Sequence, residues 1–293
     1  MSLVLQSILS GLVNGVVYAL IGVGMSVIFK GSRVINAMQG EFSVVGAMFS
    51  VLLLAALKVP YPVAIAGGVA AGAVLGVLID IAFVRPMMRR GASEESYLLL
   101  TVGLASALSA AVLYFGGRDS HLLPAIGSDA IHDVGSATIR EHALWLLVVA
   151  LAVVGALKLF YQRTVLGLSM AAASIDPDGA TTLGIDVRRM RTLTFALGGA
   201  LGAIVGILFA PLVAVNYALG LTLTLKGFAA AIIGGLANPL GAVAGGLVLG
   251  LAESLAVVVF PSGYRDAVAL ALLVLIMLVL PNGLLGRAAR SGG

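Results

Sequence analysis

Long runs of apolar residues separated by short polar segments dominate the sequence. A membrane-crossing helix needs about 20 consecutive, largely apolar residues, whereas transmembrane β-strands alternate apolar with polar positions. The continuous runs therefore predict an all-α polytopic membrane protein with eight or nine transmembrane helices. The predicted spans are 3–29, 36–57, 62–84, 97–115, 143–160, 192–213, 218–236, 239–260 and 267–281.

The seventh predicted span, 218–236, makes the count eight or nine because it is short and carries Lys226. If this segment only dips into the membrane, every later segment reverses its direction. The connections are mostly short, which favours a single transmembrane domain over residues 1–293. The two longest connections are 116–142 and 161–191.

The composition excludes most soluble classes of protein. Hydrophobic residues make up 60% of the 293 residues and charged residues only 10%, whereas about 25% of the residues in a soluble domain are charged. A soluble fold of this composition would lack a polar surface, so soluble enzymes, nucleic-acid binders and disordered chains are excluded. The chain has no cysteine, which removes disulfides and thiolate metal sites from consideration.

The distribution of lysine and arginine predicts the orientation in the membrane. When the loops 30–33, 85–95 and 161–191 and the C-terminal tail are cytoplasmic, 12 of the 17 basic residues lie inside, including Lys158 at the end of the preceding span, and 4 lie outside. Basic residues are enriched on the cytoplasmic side of membrane proteins. We therefore expect a periplasmic N-terminus, a periplasmic loop 116–142 and a cytoplasmic C-terminus.

Two pairs of similar segments predict an inverted repeat. The segments 39–46 and 226–234 each begin with a polar residue and a glycine, continue with a phenylalanine and small or β-branched residues, and end with a glycine. Further along, 72–76 resembles 246–250. With nine spans the two copies run in opposite directions, as in many transporters. Chance similarity between helices rich in glycine and alanine is the alternative.

Polar residues lie inside the predicted spans near both copies of the repeat. Ionisable groups at membrane depth usually face a cavity or a partner, and the adjacent glycines permit helix breaks of the kind that line substrate paths. We expect Lys226 to lie close to Glu41 or Glu253. A purely structural pair, or snorkelling of the lysine to the interface, is the alternative. The candidate pathway residues are Asn36, Gln39, Gly40, Glu41, Lys226, Gly227 and Glu253.

The predicted cytoplasmic loop 161–191 contains the signals of a short helix. Asp176 is a good N-cap and Pro177 suits the first helical position, while Gly184 can end a helix in the left-handed conformation. These residues predict a helix near 177–183 that is too polar to enter the membrane. A short capped helix on the cytoplasmic face is suited to docking a partner.

At residues 171–173, 179–180 and 183–185, this loop resembles the cytoplasmic coupling loop of ABC importer permeases. More narrowly, the chain resembles the LivH-type permeases of the branched-chain amino acid uptake family. Where that family usually has Phe-Ala-His, this chain has Ala37-Met38-Gln39, which leaves the substrate open. The other similar blocks are Asn14-Gly15, Tyr18-Ala19-Leu20, Asn36, Gly40-Glu41, Gly46-Ala47, Arg85-Pro86, Gly234-Gly235, Gly241-Ala242, Gly250, Glu253 and Pro281-Asn282-Gly283-Leu284.

The resemblance implies the permease subunit of an ATP-driven importer that moves branched-chain or similar amino acids into the bacterial cytoplasm across the inner membrane. The implied partners are a second related permease, two ABC ATPase subunits and a periplasmic substrate-binding protein. ATP and Mg²⁺ would bind to the ATPase subunits, because this chain has no phosphate-binding GxxxxGK[ST] motif. The implied ATPase-coupling residues are Ala173, Asp176, Gly179, Ala180 and Gly184.

A different class of function remains as the alternative. A self-sufficient channel or ion-coupled carrier for a small polar solute, such as urea, an amide or an amino acid, would use Glu41, Glu253 and Lys226 as ion or proton groups. Such a protein has no use for a docking helix. The three histidines of the loop 116–142 match no strong metal motif. Because none lies in the core of a predicted span, they also disfavour an intramembrane protease.

Overall fold

The computed structural model describes residues 2–128, 130–280 and 283–285. Two groups of positions used in the sequence analysis lie outside these ranges: Pro281 and Asn282 of the last similar block, and Arg287 and Arg290 of the cytoplasmic basic residues. The described chain is dominated by long apolar helices, which confirms an all-α polytopic membrane protein. The helices are α1 (Ser2–Ser32), α2 (Gln39–Ala56), α3 (Tyr61–Ile79), α4 (Arg85–Arg89), α5 (Glu94–Gly116), α6 (Glu141–Arg163), α7 (Val165–Ile175), α8 (Pro177–Thr182), α9 (Val187–Phe209), α10 (Leu219–Gly234), α11 (Pro239–Val259) and α12 (Arg265–Val279).

The apolar helices coincide with the nine predicted spans. Within the described residues, seven helical segments are long and apolar enough to cross a membrane, namely α1, α2, α3 with α4, α5, α6, α9 and α11. The shorter apolar helices α10 and α12 occupy the seventh and ninth predicted spans. A 16-residue helix such as α10 extends about 24 Å, which is less than the roughly 30 Å hydrocarbon core.

The third span continues from α3 into α4 through a π-helical turn, Asp80–Val84. Pro86 follows this turn and cannot donate a backbone hydrogen bond to the preceding turn of helix. Single π-helical turns inside α-helices are frequent at functional sites. The turn places Asp80 inside the protein, where its side chain is fully buried.

The central helices pack in two equivalent sets of three. In the first set, α2, α3 and α9 all pack on one another. In the second set, α10, α11 and α1 do the same. Two further contacts, α1 with α9 and α2 with α10, join the sets. This pattern relates α1, α2 and α3 to α9, α10 and α11 by a pseudo-twofold axis, as the predicted inverted repeat requires.

Closely approaching backbones form corresponding seams in the two sets. A Cβ atom on Gly72 of α3 would lie 2.5 Å from the carbonyl oxygen of Gly199 on α9. A Cβ atom on Gly246 of α11 would lie 2.5 Å from Cα of Ala19 on α1. Real Cβ atoms do not approach other atoms this closely, so both seams require glycine. Close packing through small residues is a common basis of helix association in membranes.

A bulky residue in this seam is expected to destabilise the fold. Replacing Gly246 with leucine forces α11 away from α1 and should lower the free energy of unfolding by about 3 kcal/mol, typical of an overpacked core. The matched control is Gly155→Leu on α6, where a Cβ atom would meet no atom within 4 Å. Thermal unfolding of the two purified variants in detergent measures the difference. Equal melting temperatures for the two variants would show that the seam does not require glycine at position 246.

A helix break occurs just before Gly40, as predicted, but the break predicted at Gly227 does not occur. Helix α10 runs through Gly227 without interruption, and Gly40 lies in the first turn of α2. The non-helical segments are 33–38, before α2, and 210–218, before α10. Gly227 serves close packing instead, because a Cβ atom there would overlap the side chain of Ile21 on α1.

A β-hairpin that the sequence analysis did not predict lies in the loop 116–142. Strands β1 (Ile131–Val134) and β2 (Ala137–Arg140) pair antiparallel. Gln6 of α1 holds β2 in place, because its amide donates to the carbonyl of Thr138 at 3.1 Å and accepts from the Thr138 amide at 2.9 Å. The hairpin is therefore attached to the beginning of the first helix.

Candidate functional site

A groove between α2, α5 and α10 contains a buried carboxylate. The groove has a volume of about 430 Å³. The Glu41 side chain lines it, although Glu41 is only 2% exposed. Most of the other lining side chains are small or aliphatic, with hydroxyl groups among them. They are Ala37, Val102, Ala105, Ser106, Ser109, Ala110, Leu113, Tyr217, Leu221, Thr224 and Leu225.

Contacts with α5 place the groove beside the middle of that helix. Before α2 begins, the backbone amide of Ala37 donates to Oγ1 of Thr101 at 3.1 Å. Before α10 begins, the carbonyl of Tyr217 accepts from Oγ of Ser109 at 2.8 Å. Thr101 and Ser109 lie about 12 Å apart along the α5 axis. The N-terminal ends of α2 and α10 therefore meet near the centre of α5.

The two N-terminal ends contact each other directly. The amide of Gly40 donates to Oγ1 of Thr224 at 2.9 Å, and a Cβ atom on Gly40 would overlap the carbonyl oxygen of Gly220. Gly40, predicted as a pathway residue, therefore fits α2 closely against α10. Paired N-terminal ends of helices at the interface of a repeat are a recurrent feature of transporter binding sites.

Two other predicted pathway residues, Asn36 and Gln39, stabilise the start of α2 and do not line the groove. The Asn36 amide donates to Oε1 of Gln39 at 2.9 Å, and the Gln39 amide donates to the carbonyl of Gly198 on α9 at 2.8 Å. Oδ1 of Asn36 accepts from the backbone amide of Met38 at 3.2 Å. Both amide side chains are fully buried, so they hold the bent segment before α2 against α9.

Lys226 forms an ion pair with Glu253 and not with Glu41. Its Nζ lies 2.7 Å from Oε1 of Glu253 on α11 and 3.2 Å from the hydroxyl of Tyr18 on α1. The side chains of Lys226 and Glu253 are 13% and 1% exposed. This geometry rules out snorkelling of the lysine to the interface. The pair joins α10 to α1 and α11, on the side of α10 away from Glu41.

Gln39 and Lys226 occupy corresponding positions in the repeat. Gln39, at the start of α2, bonds to Gly198 of α9, while Lys226 of α10 bonds to Tyr18 of α1. The glycine seams give the same correspondence. They match Gly199 of α9 with Ala19 of α1, so Gly198 corresponds to Tyr18. Each half therefore uses a long polar side chain at this point to attach its central helix to its neighbour.

The sequence analysis missed a buried polar cluster around Asp80. The Asp80 carboxylate accepts from Nε of Arg191 at 2.7 Å and from the hydroxyl of Thr192 at 2.5 Å. Arg85 lies 3.7 Å from the same carboxylate. The cluster joins the π-helical turn after α3 to the beginning of α9. Because α9 follows the 161–191 loop directly, the cluster connects that loop to the central helices.

The cytoplasmic loop contains the predicted capped helix. The Asp176 carboxylate accepts from the amide of Gly179 at 2.9 Å, and Pro177 is the first residue of α8. Gly184 has a φ of +81°, the left-handed conformation expected after a helix end. The loop also contains a second helix, α7, which the sequence analysis did not predict.

The predicted coupling residues lie at different depths. Ala173 of α7 and Ala180 of α8 are 6% and 3% exposed, so they attach the two helices to the rest of the protein. Asp176 and Gly179 form the cap. The apolar side chains of Ile175, at the end of α7, and Leu183, directly after α8, are 77% and 81% exposed. These two side chains form the outward surface of the α7–α8 corner.

The histidine side chains of the loop 116–142 do not form a metal site in the described part of the chain. No group of three histidine, aspartate or glutamate side chains that could hold a metal ion occurs there. His142 is buried, and its Nδ1 accepts from the backbone amide of Ile126 at 3.0 Å. Nε2 therefore carries the proton and donates to the carbonyl of Leu208 at 2.8 Å. These bonds give His142 a structural role.

Comparisons with known proteins agree with this architecture. Residues 7–277 match the family described as the permease component of the branched-chain amino acid transport system. LivH of Escherichia coli (strain K12), a high-affinity branched-chain amino acid transport system permease protein, is 32% identical over 97% of this chain and 96% of LivH. BraD of Pseudomonas aeruginosa, which has the same description, is 31% identical over 97% of this chain and 96% of BraD.

A shorter match extends to a transporter of another substrate class. NupC of Lactococcus lactis, a nucleoside ABC transporter permease protein, is 38% identical over 37% of this chain and 35% of NupC. The near-complete matches to LivH and BraD and the apolar helices identify a multi-pass transport subunit of the bacterial inner membrane, which works with other ABC components and is not an enzyme. The chain belongs to the branched-chain amino acid transport permease family.

Proposed function

We propose that the protein is the permease subunit of an ATP-driven importer that carries branched-chain or similar amino acids into the cytoplasm. The match to LivH and BraD over 97% of the chain carries this proposal. The pseudo-twofold arrangement of the six central helices and the groove where α2 meets α10 support a transport path. The mostly aliphatic groove walls suit a substrate with an aliphatic side chain.

A second related permease chain completes the path in this proposal. Leu221 and Leu225 on the rim of the groove are 62% and 55% exposed, so the apolar rim needs a cover that also keeps lipid from the buried Glu41. Two permease chains placed with these faces together enclose a path between them. Glu41, Gly40 and Thr224 then lie beside the path, whereas Lys226, Gly227 and Glu253 stabilise its wall from behind.

ABC ATPase subunits and a periplasmic binding protein complete the assembly. The α7–α8 corner presents exposed Ile175 and Leu183 to an ATPase subunit, and ATP and Mg²⁺ bind to that subunit. The Asp80 cluster then connects movement of the corner to α3 and α9. On the opposite side of the membrane, the hairpin β1–β2 and the rest of loop 116–142 offer a surface to the binding protein.

Co-purification tests this assembly. An affinity-tagged copy of the chain, expressed in its native host and extracted in mild detergent, should retain two ABC ATPase subunits and a second permease. Mass spectrometry of the purified complex identifies them. A chain that purifies without any ATPase subunit, while remaining monodisperse, would support the channel or secondary carrier instead.

The proposed orientation predicts opposite accessibility for two positions. Ser128 lies in the loop 116–142 and Thr182 lies on α8, and both are exposed. In this cysteine-free chain, Ser128→Cys should react with an impermeant maleimide added to intact spheroplasts. Thr182→Cys should react only after the membrane is permeabilised. The reverse pattern would overturn the orientation derived from the basic residues.

A further inference from the structure

The Glu41 carboxylate differs from the other buried carboxylates near the membrane helices. Asp80 is held by Arg191, and Glu253 is held by Lys226. Within the described residues, Oε2 of Glu41 has no hydrogen-bond partner, although the side chain is 2% exposed. A buried carboxylate without a partner is strongly unfavourable. Its retention at the base of a groove indicates that it receives a partner there.

Within the described residues, no lysine or arginine lines the groove beside Glu41. Glu41 lies in the first turn of α2, and its carboxylate lies against Gly220 in the first turn of α10. A Cβ atom on Gly220 would overlap the carboxylate, so glycine provides the space. The positive ends of two helix dipoles lie near the carboxylate, but burial disfavours its charge unless a cation is present. The helix ends supply no cation, so a cationic ligand in the groove would be the partner of this carboxylate.

The remaining groove lining defines the shape of that ligand. Val102, Leu113 and Leu221 provide aliphatic surface, while Ser106 and Ser109 add hydroxyl groups. A carboxylate beside an aliphatic wall matches a small molecule with an ammonium group and an aliphatic side chain. We propose that Glu41 binds the ammonium group of the amino acid as it passes through the permease. This inference rests on the proposed function. It assigns the specificity of the permease for amino compounds to Glu41.

The assignment separates Glu41 from the other charged residues of the helical core. Lys226 and Glu253 bind each other on the far side of α10 and do not line the groove. The carboxylic acid that corresponds to leucine without its amino group fits the aliphatic wall but repels Glu41. An alkylamine with the same side chain satisfies both parts of the site.

A protection assay in the assembled importer tests the inference directly. The variant Ser106→Cys places a thiol in the groove, and its rate of reaction with a small maleimide is measured in the purified complex. 3-Methylbutylamine should slow the reaction, whereas 4-methylpentanoate at the same concentration should not. In the double variant with Glu41→Gln, protection by the amine should weaken about tenfold, the usual effect of losing a charge-assisted hydrogen bond. Equal protection with and without Glu41, or equal protection by the amine and the acid, would overturn the inference.

Uptake by proteoliposomes separates this inference from the proposed function. With the complete importer, Glu41→Gln should reduce leucine uptake about tenfold, and Glu41→Asp should restore part of it. The control Glu95→Gln removes an exposed acid from the first turn of α5 and should transport like the natural protein. If the natural complex imports leucine and Glu41→Gln does so equally well, the inference fails and the function stands. If the natural complex imports no amino acid, the proposed function fails as well.

Discussion

Replacing Ile175 and Leu183 with aspartate is expected to abolish uptake while leaving the permease folded and inserted. Both side chains are more than three-quarters exposed at the α7–α8 corner, so the substitutions disturb few contacts within this chain. In the assembly, a few fully desolvated side chains at the centre of an interface carry most of the binding energy, and losing two such side chains costs about 4 kcal/mol or more. Buried aspartates add a desolvation penalty. Uptake and ATPase stimulation should therefore disappear together.

Conservative substitutions at the same positions provide the matched control. Ile175→Leu and Leu183→Met keep apolar side chains of similar volume and should support nearly normal uptake. Gly179 is less suitable for this test, because a Cβ atom there would overlap the Asp176 carboxylate that caps α8. Normal ATP-dependent uptake by the double aspartate variant would show that the corner does not dock an ATPase subunit.

Replacing Lys226 with methionine is expected to destabilise the permease strongly. The substitution leaves the Glu253 carboxylate, which is 1% exposed, without the ammonium group 2.7 Å away. Removing one member of a buried ion pair typically costs about 3–5 kcal/mol, because the remaining charge stays buried. The expected result is a large fall in the melting temperature in detergent, together with reduced uptake.

A second substitution identifies the partner of Lys226. Glu253→Gln removes the carboxylate charge that Lys226 neutralises, so the double variant with Lys226→Met should recover much of the lost stability. Glu41→Gln in the same background should not, since Glu41 lies on the other side of α10. Thermal unfolding of the single variant and the two double variants compares these effects. Equal recovery by both glutamine substitutions, or none by Glu253→Gln, would contradict the pairing.

Local signals in the sequence were sufficient for the spans and for the capped helix. Long apolar runs predict membrane helices from composition alone, and the nine runs match nine helical segments. Asp176, Pro177 and Gly184 each act within a few residues of their own position, so the helix α8 and its cap could be predicted. The hairpin in the loop 116–142 also had a local signal that was not used. Gly135 and Ser136 form a two-residue turn between its strands.

The long-range contacts could not be derived from a single sequence. Asp80 and Arg191 lie 111 positions apart, and no spacing rule relates two charges at the ends of different apolar runs. Lys226 had two candidate carboxylates, and only the packing of α10 on α11 selected Glu253. No local signal indicated that Asn36 and Gln39 bind each other and do not line the groove.

ATP-dependent uptake by the complete importer in proteoliposomes tests the central claim most directly. The complex should contain this chain, its sister permease and the two ATPase subunits, with the binding protein and radiolabelled leucine added on the periplasmic side. The account predicts leucine uptake only when ATP and Mg²⁺ are present on the ATPase side, and none with an ATPase variant unable to hydrolyse ATP. Leucine movement through this chain alone, driven by its own gradient or by an ion gradient and independent of ATP, would contradict the account and identify a channel or secondary carrier.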